Sequence, residues 1–383
     1  MNKLSLIRKY KKENDIKLCL FVMYLRYIRI RLAYKIGVNE YLENHLFDKK
    51  EDYSVYFEKL HTYIHKWEYC SKHFAGDKTK GWLKRHHIQY LFFKMIYPGL
   101  DAMDYFRYEF YRLRHKDRKT FITEGYLRKM NFHFNPKNSQ TLKAYKILDD
   151  KREFNKFFDD FIKRSWTEVK DNEGEFVSFC LLYKTIILKP SVSGGGQGIQ
   201  KVEVTSKNEA IELFNKFNNK NMIVEEVIKQ SDEINLINSS SINTIRIYSI
   251  ISNNQIYITG ATFRFGNGKS AVDNYSSGNY AASVDEKTGK VTSSAVSQNG
   301  ERITTHPISG AQIVGFKIPN WEHAIEMVIE AHKKLMSLRY IGWDVAFNSD
   351  NEPLLVEGNT FAGVELQQHP SLTGKKPIYK KYW

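Results

Sequence analysis

Apolar residues follow two textures along this 383-residue chain. Over residues 1–130 they run on without Gly-rich turns, which reads as a mostly helical region. Pro98-Gly99 is its one strong punctuation mark. Tyr105 to Arg114 interleaves aromatics with arginines at helical spacing, rings toward a core and guanidinium groups toward water. From about residue 140 the pattern changes. A helix is predicted from Leu142 to Phe161. Short β-branched runs then predict strands at Thr185–Lys189, closed by Pro190, and at Gln200–Thr205. Ala210, Ile211, Leu213, Phe214 and Phe217 mark a helix over Asn208–Asn219. Asn221–Ile228 reads as a strand. Thr244–Ser252 and Gln255–Phe265 read as a hairpin around Asn253-Asn254. Trp321–Leu338 follows Pro319 and places Ile325, Val328, Ile329, His332 and Leu335 on one helix face. Ile341–Phe347 and Pro353–Glu357 are further strands. Residues 266–300, rich in Gly, Ser and Asn, read as loops and hairpins. Strands and helices come in runs rather than strict alternation, so the expected class is α+β with antiparallel sheets.

Composition changes this picture little. With 42% hydrophobic and 26% charged residues the chain is globular, and its length allows two or three domains. Charge changes it more. Residues 1–130 carry 28 Lys and Arg against 15 Asp and Glu, whereas 131–383 carry 30 against 28. The basic excess of the N-terminal third points to an anionic partner: a membrane surface, an acidic glycan, a lipid-linked phosphate or a nucleic acid. No nucleic-acid module is visible, so nucleic acid is not the expected partner. Residues 16–37 contain an apolar run too short to span a bilayer, followed by Arg26, Arg29 and Arg31. They read either as a packed helix or as a basic amphipathic helix on anionic lipid. Cys19, Cys70 and Cys180 are far apart and form no disulfide or metal pattern, which fits a reducing cytoplasm. His61 with His65, and His86 with His87, lack a third ligand.

Three segments carry candidate chemistry. In Ile187-Leu-Lys-Pro-Ser-Val-Ser-Gly-Gly-Gly-Gln-Gly198, Lys189 ends a strand and a glycine loop follows. Glycines let backbone N–H groups approach an anion closely. Neither a Lys-Ser/Thr step nor a helix follows, so this is not a Walker loop. It reads as a hairpin folding over phosphates, or as a plain linker. In Met222–Ile228 an apolar strand ends in Glu225-Glu226. It could seat a purine against Val227 and Ile228, with Asp232 or Glu233 on the ribose. Near the end, Gly342-Trp-Asp344 lies on one strand and Leu354-Leu-Val-Glu-Gly-Asn359 on the next. Glu357 and Asn359 share a face of an extended chain. With Asp344 beside them, three hard oxygen donors would suit Mg²⁺.

In this order the segments resemble the ATP-grasp superfamily. The resemblance covers roughly residues 130–370. It implies a first lysine at Lys151, in Asp150-Lys-Arg-Glu-Phe154, and a second at Lys189. Gly194, Gly195, Gly196 and Gly198 would form the phosphate loop, and Glu225 and Glu226 the adenine hinge. Asp232 would be the ribose acid, and Asp344, Glu357 and Asn359 the magnesium ligands. Asn243-Thr-Ile-Arg246, Thr305-His-Pro, Gly315-Phe-Lys-Ile-Pro-Asn-Trp321, Gly342-Trp-Asp344 and Gly363-Val-Glu-Leu-Gln-Gln368 are similar to the sugar-transfer-associated members of that superfamily. The implied layout is a basic helical region over 1–130 and an ATP-grasp domain over 131–383. Within the latter, about 140–228 would hold the lysines and Gly loop, and 229–370 the metal site.

The resemblance implies an ATP-dependent carboxylate–amine ligase. A carboxylate attacks the γ-phosphate and an amine captures the acyl phosphate, placing an amino acid or amine on a sugar or polysaccharide precursor, as in capsule synthesis. Lys151 and Lys189 would neutralise phosphates, and the loop would exclude water. Arg246 would meet the transferring phosphoryl group or the oxyanion, and Arg264 the acceptor carboxylate. His306 and Gln367 are further candidates for substrate contact. Two other readings stay open: a kinase of the same fold, phosphorylating a hydroxyl, and a nucleotide-binding adaptor of a polysaccharide synthesis complex.

Overall fold

A computed structural model describes residues 66–383 except 75, 77, 98, 195 and 269–278. The expected helix at 16–37, the His61/His65 pair, Cys19 and Gly195 lie outside the described residues. The chain divides into two compact units, Met1–Leu113 and Arg114–Trp383. The boundary expected near residue 130 lies inside the second unit.

In the first unit, a helix over 66–74 is followed by α1 (Lys80–Ile96) and α2 (Ala102–Arg107). Thr79 caps the first by accepting from the Trp82 N–H, and Asp101 caps the second through a reciprocal box with Asp104. The core is aromatic: Trp67, Tyr90, Phe93, Tyr105 and Phe106 are buried, with the Cys70 thiol among the buried groups. His87 stacks on Trp67 at 4.4 Å, and His86 Nδ1 lies 2.7 Å from the Tyr105 hydroxyl. Both histidines therefore serve ring packing. Among the described residues no three His, Cys, Asp or Glu side chains could hold a metal ion. The helix expected to run on from Tyr105 stops at Arg107; turns follow, and Tyr108 and Phe110 still point inward while Arg112 stays exposed.

The second unit is α+β, and every strand pairing in it is antiparallel. After a single helical turn at His115–Arg118 come α3 (Glu124–Phe134), α4 (Leu142–Asp149) and α5 (Lys151–Phe157). A four-stranded sheet has the order β1-β4-β2-β3, from β1 (Trp166–Glu168), β2 (Thr185–Pro190), β3 (Gln200–Glu203) and β4 (Met222–Glu226). Two helices, α6 (Glu173–Tyr183) and α7 (Lys207–Phe217), pack with it. Ser206 caps α7, whose apolar spacing buries Ala210, Phe214 and Phe217 against Ile186, Leu188, Val224 and the free thiol Cys180. Full burial of one such ring contributes roughly 1.5–3 kcal/mol.

The seven-stranded sheet has the order β11-β10-β5-β6-β7-β8-β9. Its strands are β5 (Thr244–Ser252), β6 (Gln255–Phe265), β7 (Tyr280–Val284), β8 (Ala295–Ser297), β9 (Arg302–Ile303), β10 (Tyr340–Phe347) and β11 (Pro353–Asn359). Asn253 and Asn254 turn the β5–β6 hairpin at φ 49° and 58°, a region Asn tolerates well. Ile245, Ile247, Ala261, Phe263, Trp343 and Val345 face the major core. There they meet α8 (Trp321–Lys333) through Trp321, Ala324, Val328 and Ala331, and α4 through Ala144 and Leu148. The buried stripe of α8 is centred nearer Ala324 and Ala331 than the spacing of Ile325 and Ile329 suggested, and those two are only half-buried. The opposite face of the sheet buries Tyr248, Ile250 and Tyr340 against Met130 and Phe134 of α3. Among the described residues no helix is long and apolar enough to cross a membrane.

Candidate active site

Side chains alternate along a strand, so the neighbours of the core residues must face the other way. On β5 that is Arg246, on β6 Arg264 and on β10 Asp344. Register completes the group: Asp344 pairs with Arg246 on one side and with Glu357 on the other, and Gly342 pairs with Asn359. Strict alternation would have sent Glu357 into the core with Leu355. It does not, because Val345 pairs with Leu355 while Asp344 pairs with Glu357, leaving Val356 as the extra residue of a bulge. A bulge re-aims the side chains beyond it. Gly342 must stay small, since a Cβ there would lie 2.4 Å from that of Ala362.

The charges interlock. Arg246 forks onto Asp344 through Nε–Oδ1 and Nη2–Oδ2, both at 2.6 Å, and Arg264 Nη1 adds a contact at 2.9 Å. Burial alone would raise the Asp344 pKa, but the two arginines outweigh it and hold the carboxyl ionised, well below the usual range. Glu357 goes the other way. Its surroundings and then the charge of Asp344 push its pKa up, although 39% of the side chain is exposed. The Asn359 amide nitrogen lies 3.4 Å from both Gly342 O and Glu357 Oε1.

The lysines arrive from the smaller sheet and from a helix start. The expected helix Leu142–Phe161 is broken at Asp150, which is extended at φ −108°, ψ 115° and caps α5 by accepting from the Arg152 N–H. Apolar periodicity runs through the break, so spacing alone did not reveal it. The break makes Lys151 the first residue of α5. Its N–H donates to Ser191 O at 2.8 Å, and its Nζ donates to Ser193 O and Oγ at 3.0 and 3.1 Å. Burial lowers the Lys151 pKa against the opposing pull of Glu357 and Glu225.

Lys189, buried near the end of β2, places Nζ 2.6 Å from Glu225 Oε2. Burial lowers its pKa to about 8, with Glu225 acting against the drop. Glu225 also takes Arg164 Nε at 2.8 Å, Arg164 Nη2 at 3.2 Å and Asn155 Nδ2 at 2.9 Å. These cations keep it ionised despite its burial. The glycine loop follows Lys189. Gly196 and Gly198 have φ of 73° and 77°, and a Cβ on Gly198 would lie 2.8 Å from the Pro190 ring. Gly194 is open, with nothing within 4 Å of such a Cβ.

Glu226 ends β4, Val227 and Ile228 follow it, and all three are half-buried; Asp232 is exposed at the first turn of Asp232–Asn235. His306 and Gln367 are turned inward. The His306 Nε2 meets Gly266 O at 2.9 Å and its Nδ1 meets the Ile308 and Ser309 N–H groups, while Gln367 Nε2 donates to the Tyr379 hydroxyl at 2.6 Å. An open groove of about 1000 Å³ lies at the start of α8, lined by Lys287, Lys290, Lys317, Trp321 and Asp350 and by Glu233, the other acid expected near a ribose, next to Asp232. Sequence reading missed Arg164 and Asn155. Neither lies in a motif, and an arginine ahead of a short strand carries no signal of burial.

An antiparallel α+β unit presenting two lysines, a glycine loop and paired strand carboxylates defines the ATP-grasp class of protein. Residues 129–380 match the family described as sugar-transfer associated ATP-grasp, and the chain belongs to that family. No curated protein matches it. Among solved structures it is similar to an L-amino acid ligase from Bacillus licheniformis, with 11% identity, TM-score 0.37, and 62% of this chain and 48% of that one covered. It is also similar to the ATP-grasp ligase PsnB complexed with minimal precursor, Mg and ADP, at 12% identity and TM-score 0.38, covering 63% and 60%. A third is D-alanyl-alanine synthetase A from Vibrio cholerae O1 biovar eltor str. N16961, at 12% and 0.36, covering 62% and 66%. The chain thus spans about half to three-fifths of the first of these, and likeness at this level assigns no substrate.

Proposed function

We propose that this protein binds Mg·ATP on these residues and uses it to join a carboxylate to an amine on a sugar or polysaccharide precursor. The observation that supports this best is the placement of Lys151. Its ammonium touches the glycine loop at Ser193 and lies in the field of both Glu357 and Glu225. The donor set fits magnesium: two carboxylates are crowded on one face, and the raised pKa of Glu357 marks a site where an added positive charge would be welcome. Asp344, Glu357 and Asn359 would hold the ion. When bound, it neutralises phosphate charge during transfer.

The chain's own residues supply the rest. Lys151 and Lys189 bring positive charge to the phosphates, and the loop from Gly194 through Gly195 and Gly196 to Gly198 offers N–H groups and excludes water. Glu225 orients Lys189, and Glu226, Val227 and Ile228 border the adenine, with Asp232 toward the ribose. Arg246 and Arg264, preorganised on Asp344, stand ready for a developing oxyanion or an acceptor carboxylate. The basic residues 1–130 would meet an anionic glycan or the inner face of a membrane. Salt-sensitive cosedimentation with phosphatidylglycerol vesicles checks the membrane case.

Mg·ATP should raise the melting temperature of the wild type, and Lys189→Ala or Glu357→Ala should largely remove that shift. A wild type indifferent to Mg·ATP overturns the reading. Phosphate release only when carboxylate and amine are both present supports the ligase. A phosphorylated acceptor without amine makes the protein a kinase, and binding without turnover makes it an adaptor.

A further inference from the structure

Arg164 is almost wholly buried, with 1% of its side chain exposed, and it belongs to no motif. Its guanidinium spans the two sheets. On the four-stranded sheet it forks onto Glu225, the carboxylate that also holds Lys189. On the seven-stranded sheet its Nη1 donates to Leu355 O at 2.6 Å and its Nη2 lies 3.4 Å from Val356 O. Leu355 and Val356 are the residues of the β11 bulge, the irregularity that turns Glu357 toward Asp344. Asn155 of α5 closes the ring, with Nδ2 on Glu225 and Oδ1 3.4 Å from Arg164 Nη2.

We propose that Arg164 is a positioning residue that fixes the β11 bulge against the Glu225–Lys189 pair, so that the phosphate-facing lysine and the metal-facing Glu357 are set as one unit. The inference rests on reading Lys189 and Glu357 as nucleotide and metal contacts. Its physical basis is geometric. A bulge carbonyl has no regular ladder partner, and the planar guanidinium can bond carbonyls and a carboxylate at once. A lysine in its place has one ammonium and cannot reproduce the fork. Groups one step behind metal ligands commonly control affinity by about 10–100-fold.

The test is a double-mutant cycle on Mg²⁺ affinity, read from the magnesium dependence of ATP binding by calorimetry, without turnover. Arg164→Lys should weaken apparent Mg²⁺ affinity about 10-fold. In a Glu357→Gln background the same change should weaken it less than about 2-fold, because the carboxylate it positions is gone. Equal losses in both backgrounds, or none in the first, overturn the proposal. Should Arg164→Lys not fold, Arg164→Gln, which leaves Glu225 paired with Lys189, enters the same cycle with the same outcomes. If the wild type itself shows no Mg²⁺-dependent ATP binding, the functional reading fails instead. If Glu357→Gln weakens Mg²⁺ binding while Arg164→Lys does not, only the inference fails.

Discussion

Two buried ionic clusters lie in the second unit, and they are built on opposite accounts of charge. Around Glu225 one carboxylate meets Arg164, Lys189 and the Asn155 amide, so cations are in excess. Around Asp344 two carboxylates, Asp344 and Glu357, meet two arginines. There the inner acid takes the arginine contacts and the outer one is left crowded. The first cluster is short of negative charge and suits an anion; the second suits a cation. Under the proposed reading, a nucleotide would engage the first cluster and its metal the second. The clusters also differ in what holds them. Glu225 and Asp344 are buried and each pairs with two cations, whereas Glu357 keeps contact with solvent.

That contrast can be broken by mutation. The largest effect is expected at Asp344→Ala, which removes the buried carboxylate that Arg246 and Arg264 share. Breaking a buried pair from one side costs about 3–5 kcal/mol, measurable by urea denaturation. A loss below about 1 kcal/mol would mean that water compensates the arginines, as at a surface pair. Glu225→Gln should come next, with a loss near 3 kcal/mol, because the amide still accepts hydrogen bonds while the charge is gone. Glu357→Gln should change stability by no more than about 0.5 kcal/mol. If it matches Asp344, the two acids are equivalent and the comparison fails.

A smaller effect concerns pH without metal. The Glu357 pKa is raised on folding, so between its unfolded and folded values the native state binds more protons. Stability should therefore fall as pH rises above the ordinary glutamate value of 4.5, and Glu357→Gln should remove that part of the slope. Asp344 and Glu225 are depressed, so their contribution is full above their ordinary values and is lost as the solution turns more acidic. Melting temperatures across pH for wild type and Glu357→Gln separate the two, and identical slopes would remove Glu357 from the account.

Much of this was legible from the order of residues. The β5–β6 hairpin follows from alternating apolar runs around two asparagines. That Glu357 and Asn359 share a face follows from a period of two, and β10 and β11 are neighbours, which sets Asp344 beside Glu357. What was not legible depends on distant partners or on exceptions to period. The Val356 bulge breaks alternation inside an ordinary apolar strand. The interruption at Asp150 hides in continuous helical spacing. The contacts of Arg164 lie 61 residues away at Glu225 and 191 away at Leu355, and no local rule connects them.

The two buried thiols have a practical use. Cys70 sits in the core of the first unit and Cys180 in the core of the four-stranded sheet. Burial raises both, Cys70 to about 12 and Cys180 to about 11, so neither is a reactive thiolate in the closed fold. Each becomes a built-in clock. The rate at which a thiol reagent labels Cys180 times the opening of the four-stranded sheet and its helices, and labelling of Cys70 times the unfolding of the first unit. One peptide digest can then read both intervals, with and without nucleotide, and no engineered probe.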